Sequence, residues 1–125
     1  MNVVDSSGWL EYFTAGKNAA VFEPIIFDQE NVVTPTLSIF EVFKKTLKER
    51  GENAALQVAA AMQQTNVIDL DSPIALEAAS LSLKHKLPAA DSIILATARK
   101  HNATLWTQDS DFKDLPNIKY IPKNE

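Results

Sequence analysis

The chain has 125 residues, a formal net charge of −4 and a pI near 5.1, with 46% apolar residues, 22% charged residues and no cysteine. This size suits one ordinary hydrophobic core, and the composition excludes a disordered chain, a disulfide scaffold, a thiolate zinc site and a cysteine nucleophile. The acidic balance excludes a protein that grips nucleic acid chiefly through a basic surface, so any polyanion it handles needs positive charge from elsewhere.

Short β-branched runs alternate with longer segments of helical period, which predicts one α/β domain over residues 1–125. Its core is a mostly parallel sheet of about five short strands flanked by helices. The first strand is expected at 2–5. The opening MNVVDSSGWLEYF has no basic n-region and reaches an acid early, unlike a signal peptide; with the absence of cysteine this fits a reducing cytoplasm. No apolar run approaches the roughly 20 residues of a membrane span. A helix should begin at Ser6 or Ser7, either of which can cap free amides, and continue through Trp9, Leu10 and Phe13. The pattern over 17–29 is helical, but Pro24 predicts a break and the opening of a second short helix. A strand at 31–34 precedes a helix over 36–50, which carries Ile39, Phe40, Phe43 and Leu47 on one stripe and ends in Lys and Arg before Gly51 as C-cap. The Ala-rich 53–64 forms the second arm of a helical hairpin. After a strand at 66–70, Ser72 and Pro73 read as N-cap and first position of a helix running to about Lys86. Pro88 opens the last long helix, ending near His101. Strands at 103–107 and 118–121 complete the sheet.

Acids fall at informative points of this pattern. Asp5 closes a strand and Asp109 follows another by two residues, and ligand sites of open parallel sheets form at the carboxyl ends of strands. A loop or capping aspartate is the plain alternative at Asp5. Asp91 lies within the stripe of Ile94, Leu95 and Ala98, where a carboxylate is costly unless paired, hydrogen-bonded or bound to a cation; its place in a first helical turn is the competing explanation. Glu41 sits at the margin of its stripe, where a surface Glu facing Lys44 or Lys45 is the ordinary reading.

Four ordered segments, VVDSSGW, SIFEVFKK, LPAADSIILATAR and TLWTQDSDF, together resemble the PIN domain, and within it the compact VapC toxins of toxin–antitoxin pairs. The resemblance runs from residue 3 to residue 112. It implies that Asp5, Glu41, Asp91 and Asp109 converge in one pocket, with Asp111 as an additional acid. Ser6 and Thr107 would supply hydrogen bonds to these carboxylates. Such a cluster of acids makes sense with bound cations, and hard oxygen ligands favour Mg²⁺ or Mn²⁺. Asp5, Asp91 and Asp109 would bind metal directly or through water, with Glu41 orienting a second ion or the attacking water. Zinc is disfavoured, because His85 and His101 fall at helix ends where dipole or surface roles suffice. The resulting chemistry is phosphodiester hydrolysis.

Lys44, Lys45, Lys48 and Arg50, or Arg99 and Lys100, are candidate phosphate contacts, with solvation and helix-end charge compensation as the plain alternative. The resemblance further implies an RNA substrate, a homodimer, and a VapB-like antitoxin covering the acidic pocket. Trp9, Tyr12 and Phe13, and Phe40 and Phe43, are candidate apolar contacts or plain core. Three other readings stand beside this one: a PIN-type RNA-processing nuclease without a toxin role, a catalytically silent PIN-like binding module, and a receiver-type signalling module. A silent module would be expected to lack pocket acids, and none is missing. The receiver would want paired acids after the first strand and a phosphoacceptor closing the third. Asp69 or Asp71 imitates the latter, but the remaining pattern fails.

Overall fold

The computed structural model describes residues 1–123. Five strands, β1 (Asn2–Val4), β2 (Val33–Pro35), β3 (Asn66–Ile68), β4 (Thr104–Thr107) and β5 (Ile118–Tyr120), alternate with six helices. The helices are α1 (Ser6–Phe13), α2 (Ala19–Phe27), α3 (Thr36–Arg50), α4 (Glu52–Met62), α5 (Ser72–His85) and α6 (Ala89–Lys100). Every ladder among the described residues is parallel. One sheet has the order β1-β4-β5, with Asn2 opposite Thr104, and β2 pairs with β3. The two sheets meet at a single bridge among the described residues, Asn2 to Val32. The expected mostly parallel α/β architecture is thus what forms, with β1 near the middle and each strand one or two residues displaced or shortened from its expected bounds.

Alternation along the pleat divides the interior in two. Val3, Val33 and Leu105 face a core shared with Ile74, Leu81, Ile94 and Leu95 of α5 and α6. Their neighbours Val4 and Val32 face the other side, onto Trp9, Phe22, Val42, Val58 and Met62 of α1 to α4. Burial on both faces explains why β1 reads as a short apolar run rather than an alternating one. Trp9 is fully buried, which makes it core and not a contact surface. Helix α1 packs so closely that a Cβ on Gly8 would lie 2.6 Å from Val4 Cγ1 and 2.8 Å from Phe22 Cε1. Glycine at this position lets the helix settle directly on the strand that carries Asp5.

Four local expectations are corrected. Helix α2 runs through Pro24 without a break. The amide that proline lacks would have bonded only the Ala20 carbonyl in the first turn, and burial of Phe22 and Ile26 on one face outweighs that loss. The cap of α1 is Asp5, and neither Ser6 nor Ser7. The cap of α5 is Asp71, whose side chain accepts from the Ile74 amide, so Pro73 stands one position further in than expected. On α3 the buried residues are Ser38, Val42 and Thr46, whereas Phe40 is 58% and Leu47 43% exposed. Small and β-branched side chains fill the buried face, Ile39 packs at the margin of the core, and Phe40 and Leu47 are left towards solvent.

Candidate active site

Parallel strands deliver their carboxyl ends to one edge, and the acids gather there. Asp5 leaves β1 with extended backbone (φ −73°, ψ 175°), its amide donating to the Trp106 carbonyl at 3.1 Å. Its Oδ1 accepts from the Gly8 amide (3.0 Å) and the Ser7 hydroxyl (2.7 Å), and its Oδ2 from the Thr107 hydroxyl. The residue is 4% exposed. Burial pushes its carboxyl above the usual range, against the three hydrogen bonds that favour the ionised form; the Asp109 charge adds to the rise.

Thr107 joins two of the acids. Besides donating to Asp5, its Oγ1 accepts from the Asp109 amide at 2.9 Å. Asp109 then caps a short 3₁₀ turn (Ser110–Phe112), accepting from the Asp111 amide at 2.9 Å, so that both acids of the turn point the same way. Buried Phe112 anchors this turn in the core. Asp91 enters from the first turn of α6. Carboxylate oxygens of Asp91, Asp109 and Asp111 lie within 4.8 Å of one another. Half-buried Asp91 has its pKa pushed up to about 8, first by desolvation and then by the Asp109 charge and a hydrogen bond with Asp109, with smaller contributions from Asp5 and Asp111.

Glu41 occupies the second turn of α3, after β2, and its Oε1 accepts from the Ser6 hydroxyl at 2.7 Å. It is therefore tethered to the start of α1, one residue from Asp5, and lies outside the group of three acids. The structure thus draws Asp91, Asp109 and Asp111 tightly together, places Asp5 behind them as a buried anchor, and holds Glu41 at the side. Asp111, expected only as an addition, is one of the closest three.

The basic residues separate. Lys44, Lys45 and Lys48 line a shallow depression on α3 with Phe40, Glu41 and Glu49, and Lys45 pairs with Glu49 at 3.7 Å. Arg99 lies eight residues along α6 from Asp91, ~12 Å on the helix axis, facing a hollow with Lys84, His85 and Asn117. Lys100 pairs with Asp71 at 3.1 Å.

Sequence reasoning missed the support around Ser7. The Gln108 amide donates to Ser7 Oγ (3.2 Å), and buried Asn18 donates through Nδ2 to Gln108 Oε1 (2.7 Å) and to the Pro122 carbonyl (3.0 Å). These partners are some ninety residues or more apart in sequence, a separation that leaves no local pattern to read. Ser7 alone was signalled, as an alternative cap.

No curated protein matches the chain in sequence. Among solved structures, the chain is similar to a toxin–antitoxin complex from Klebsiella pneumoniae, with a TM-score of 0.81 and 22% identity, over 97% of this chain and 100% of that one. It is also similar to VapC20 of Mycobacterium tuberculosis, described as a sarcin-ricin loop cleaving toxin, with a TM-score of 0.78 and 18% identity, over 93% and 95% of the two chains. VapBC2 from Rickettsia felis, bound to a DNA fragment of its promoter, gives 0.75 and 14% over 98% of each chain. At these identities the likeness establishes the fold. The family profile of the PIN domain matches residues 3–118. That span includes all five acids and reaches from the first strand into the last, and the chain belongs to the PIN domain family.

Proposed function

We propose that the protein is a divalent-metal-dependent endoribonuclease and the toxin of a toxin–antitoxin pair. The observation that carries this reading is the convergence of Asp91, Asp109 and Asp111 within 4.8 Å at the carboxyl edge of the sheet. Burial first, and then repulsion between acids so close, displace the Asp91 pKa, and a hard cation would relieve them. The donor set is entirely oxygen, which fits Mg²⁺ or Mn²⁺ and disfavours zinc.

Asp91, Asp109 and Asp111 would hold the ion. Asp5 contributes its charge directly or through water, because both of its oxygens already accept hydrogen bonds. When bound, such an ion polarises a phosphate oxygen and lowers the pKa of a coordinated water. Thr107 fixes the relative placement of Asp5 and Asp109. Glu41, held by Ser6, orients the water that adds to phosphorus or completes a second cation position. Lys44, Lys45 and Lys48 lie beside Glu41 and suit flanking phosphates.

Similarity to structures described as toxin–antitoxin complexes supports a VapB-like antitoxin partner, and the relative that cleaves the sarcin-ricin loop supports RNA as substrate. A hollow walled by Leu10, Phe13, Thr46, Ala54 and Val58, with Glu49 and Arg50 at its rim, offers an apolar segment of such a partner a place to bind. A homodimer and a cytoplasmic location complete the reading; among the described residues no helix is long and apolar enough to cross a membrane.

Purified protein with labelled RNA should cleave in Mn²⁺ or Mg²⁺, and EDTA, Asp91→Asn or Asp109→Asn should each abolish cleavage. Hydrolysis that survives chelation and both substitutions would overturn the mechanism. For the toxin role, the product of a short adjoining reading frame should co-purify with the protein and suppress cleavage. Growth unaffected by expression, with no such neighbour, would make it an RNA-processing enzyme instead.

A further inference from the structure

We infer that Phe40 is a stacking platform for a base of the single-stranded nucleic acid entering the site, and that Lys44 and Lys48 hold the phosphates beside that base. The ring is a large aromatic left 58% exposed on a helix whose buried face is built from smaller residues. It immediately precedes Glu41, so its Cα lies ~3.8 Å along the chain from that of an acid tied by Ser6 to the start of α1. Helical spacing puts Lys44 one turn on, with Nζ 5.7 Å from the ring centroid, and Lys48 one turn further, a strip of ~12 Å. Lys45 is paired with Glu49, whereas Lys44 and Lys48 form no salt bridge among the described residues.

Two classes of occupant suit an exposed aromatic: another protein surface, or a nucleobase. Charge decides between them. An apolar partner would have to desolvate Lys44, whose ammonium lies over the ring, and Lys48 one turn further on, neither in a salt bridge among the described residues, while a polynucleotide supplies both a π-face for Phe40 and phosphates for the lysines. Alternation of aromatic ring and cation along a groove is how single strands are held without sequence readout. The ring thereby complements the acidic cluster, which attracts no polyanion by itself. This inference rests on the nuclease reading for the placement of the strand at Glu41.

The test is fluorescence anisotropy of a labelled single-stranded RNA in EDTA, titrated with salt, on wild type and on Phe40→Ala, Phe40→Trp, Lys44→Gln and Lys48→Gln. Phe40→Ala should weaken binding about 5- to 150-fold, the loss expected for one stacked base, with melting temperature and salt slope unchanged. Phe40→Trp should bind as wild type, and its added fluorescence should be quenched by RNA. Each lysine substitution should reduce the salt slope by about 0.7. In cleavage assays with Mn²⁺, Phe40→Ala should raise KM and leave kcat near wild type. Binding by Phe40→Ala within about twofold of wild type would overturn the inference. So would a change from dimer to monomer in Phe40→Ala with RNA affinity intact, since the ring would then be a protein contact. The nuclease reading fails separately. If wild type binds through Phe40 yet cleaves nothing in Mn²⁺, that reading falls and the platform stands; if Phe40→Ala binds and cleaves as wild type does, the platform falls alone.

Discussion

Replacing Asp91 by Asn should stabilise the metal-free protein while destroying its activity. An Asn amide imitates the protonated carboxyl, keeping a donor for Asp109 and removing the charge. In the folded chain the Asp91 pKa rises from 3.8 to about 8, through desolvation first and then through its acidic neighbours. Stability from protonated Asp91 is therefore fully present below about pH 4 and is lost as pH rises through about 8, because only the unfolded chain ionises freely in between. At about 1.4 kcal/mol for each tenfold change in proton affinity, this span sets a ceiling of ~6 kcal/mol. Asp91 is only half-buried, and screening by water and salt brings the expected gain to ~1–3 kcal/mol. For a domain of this size that is ~4 °C in Tm for each kcal/mol. Thermal melts in EDTA should show Asp91→Asn level with wild type near pH 4 and progressively above it towards pH 8. Saturating Mn²⁺ should reverse the order, since an ion at about 100 times its Kd adds ~2.7 kcal/mol to the protein that binds it. If Asp91→Asn melts at or below wild type at pH 8 in EDTA, or its gain is the same at every pH, the acids do not oppose folding as argued.

Three further outcomes follow from the same structure. Gly8→Ala should cost ~1–3 kcal/mol in urea unfolding, because the new methyl meets Val4 and Phe22 at 2.6 and 2.8 Å; an unchanged midpoint would mean that α1 rides higher than described. Thr107→Val leaves a buried Asp5 oxygen short of a donor and frees the Asp109 amide, so ~1–3 kcal/mol of stability and most of the activity should be lost. Thr107→Ser should restore both, and failure of that rescue would show that shape rather than the hydroxyl matters. Asp71 has its pKa lowered by the Ile74 amide and then by Lys100. Its stabilisation is present above about pH 4 and lost as pH falls through the lowered value, so Asp71→Ala should lower Tm at neutral pH, converge with wild type in acid, and leave cleavage intact. A loss of cleavage in Asp71→Ala would show instead that the cap of α5 and its pairing with Lys100 support the acidic edge.

The parts of the fold that were legible are those governed by short-range pattern. A strand buried on both faces, such as β1, is an apolar run ahead of a helix start, and Gly51 marks the end of α3 as a glycine with φ of 91°. Asp5 and Asp109 were placed at the sheet's functional edge by the rule for parallel strands alone. What escaped depends on company. Pro24 breaks a helix by local chemistry, but the burial of Phe22 and Ile26 that overrides it is tertiary. The inward face of α3 is chosen by how closely neighbouring helices pack, so its stripe of Ile39, Phe40, Phe43 and Leu47, readable as contact surface or as core, is split between half-buried and exposed positions. Asp111 looked peripheral because its approach to Asp91 depends on the turn that Asp109 caps and Phe112 anchors. Glu41, legible chiefly through resemblance, reaches the site by a hydrogen bond spanning 35 residues.

The bridge between Asn2 and Val32 has a mechanical meaning. The halves of the sheet share this one backbone link among the described residues and are joined otherwise through both cores, which take in residues of β1 and β2, and the acids straddle it: Asp5, Thr107 and Asp109 belong to the β1 and β4 side, while Glu41 rides on the helix that follows β2. The hydroxyl of Ser6 reaches across it to Glu41, adding a polar tie between α1 and α3 to the apolar packing that already joins the two portions.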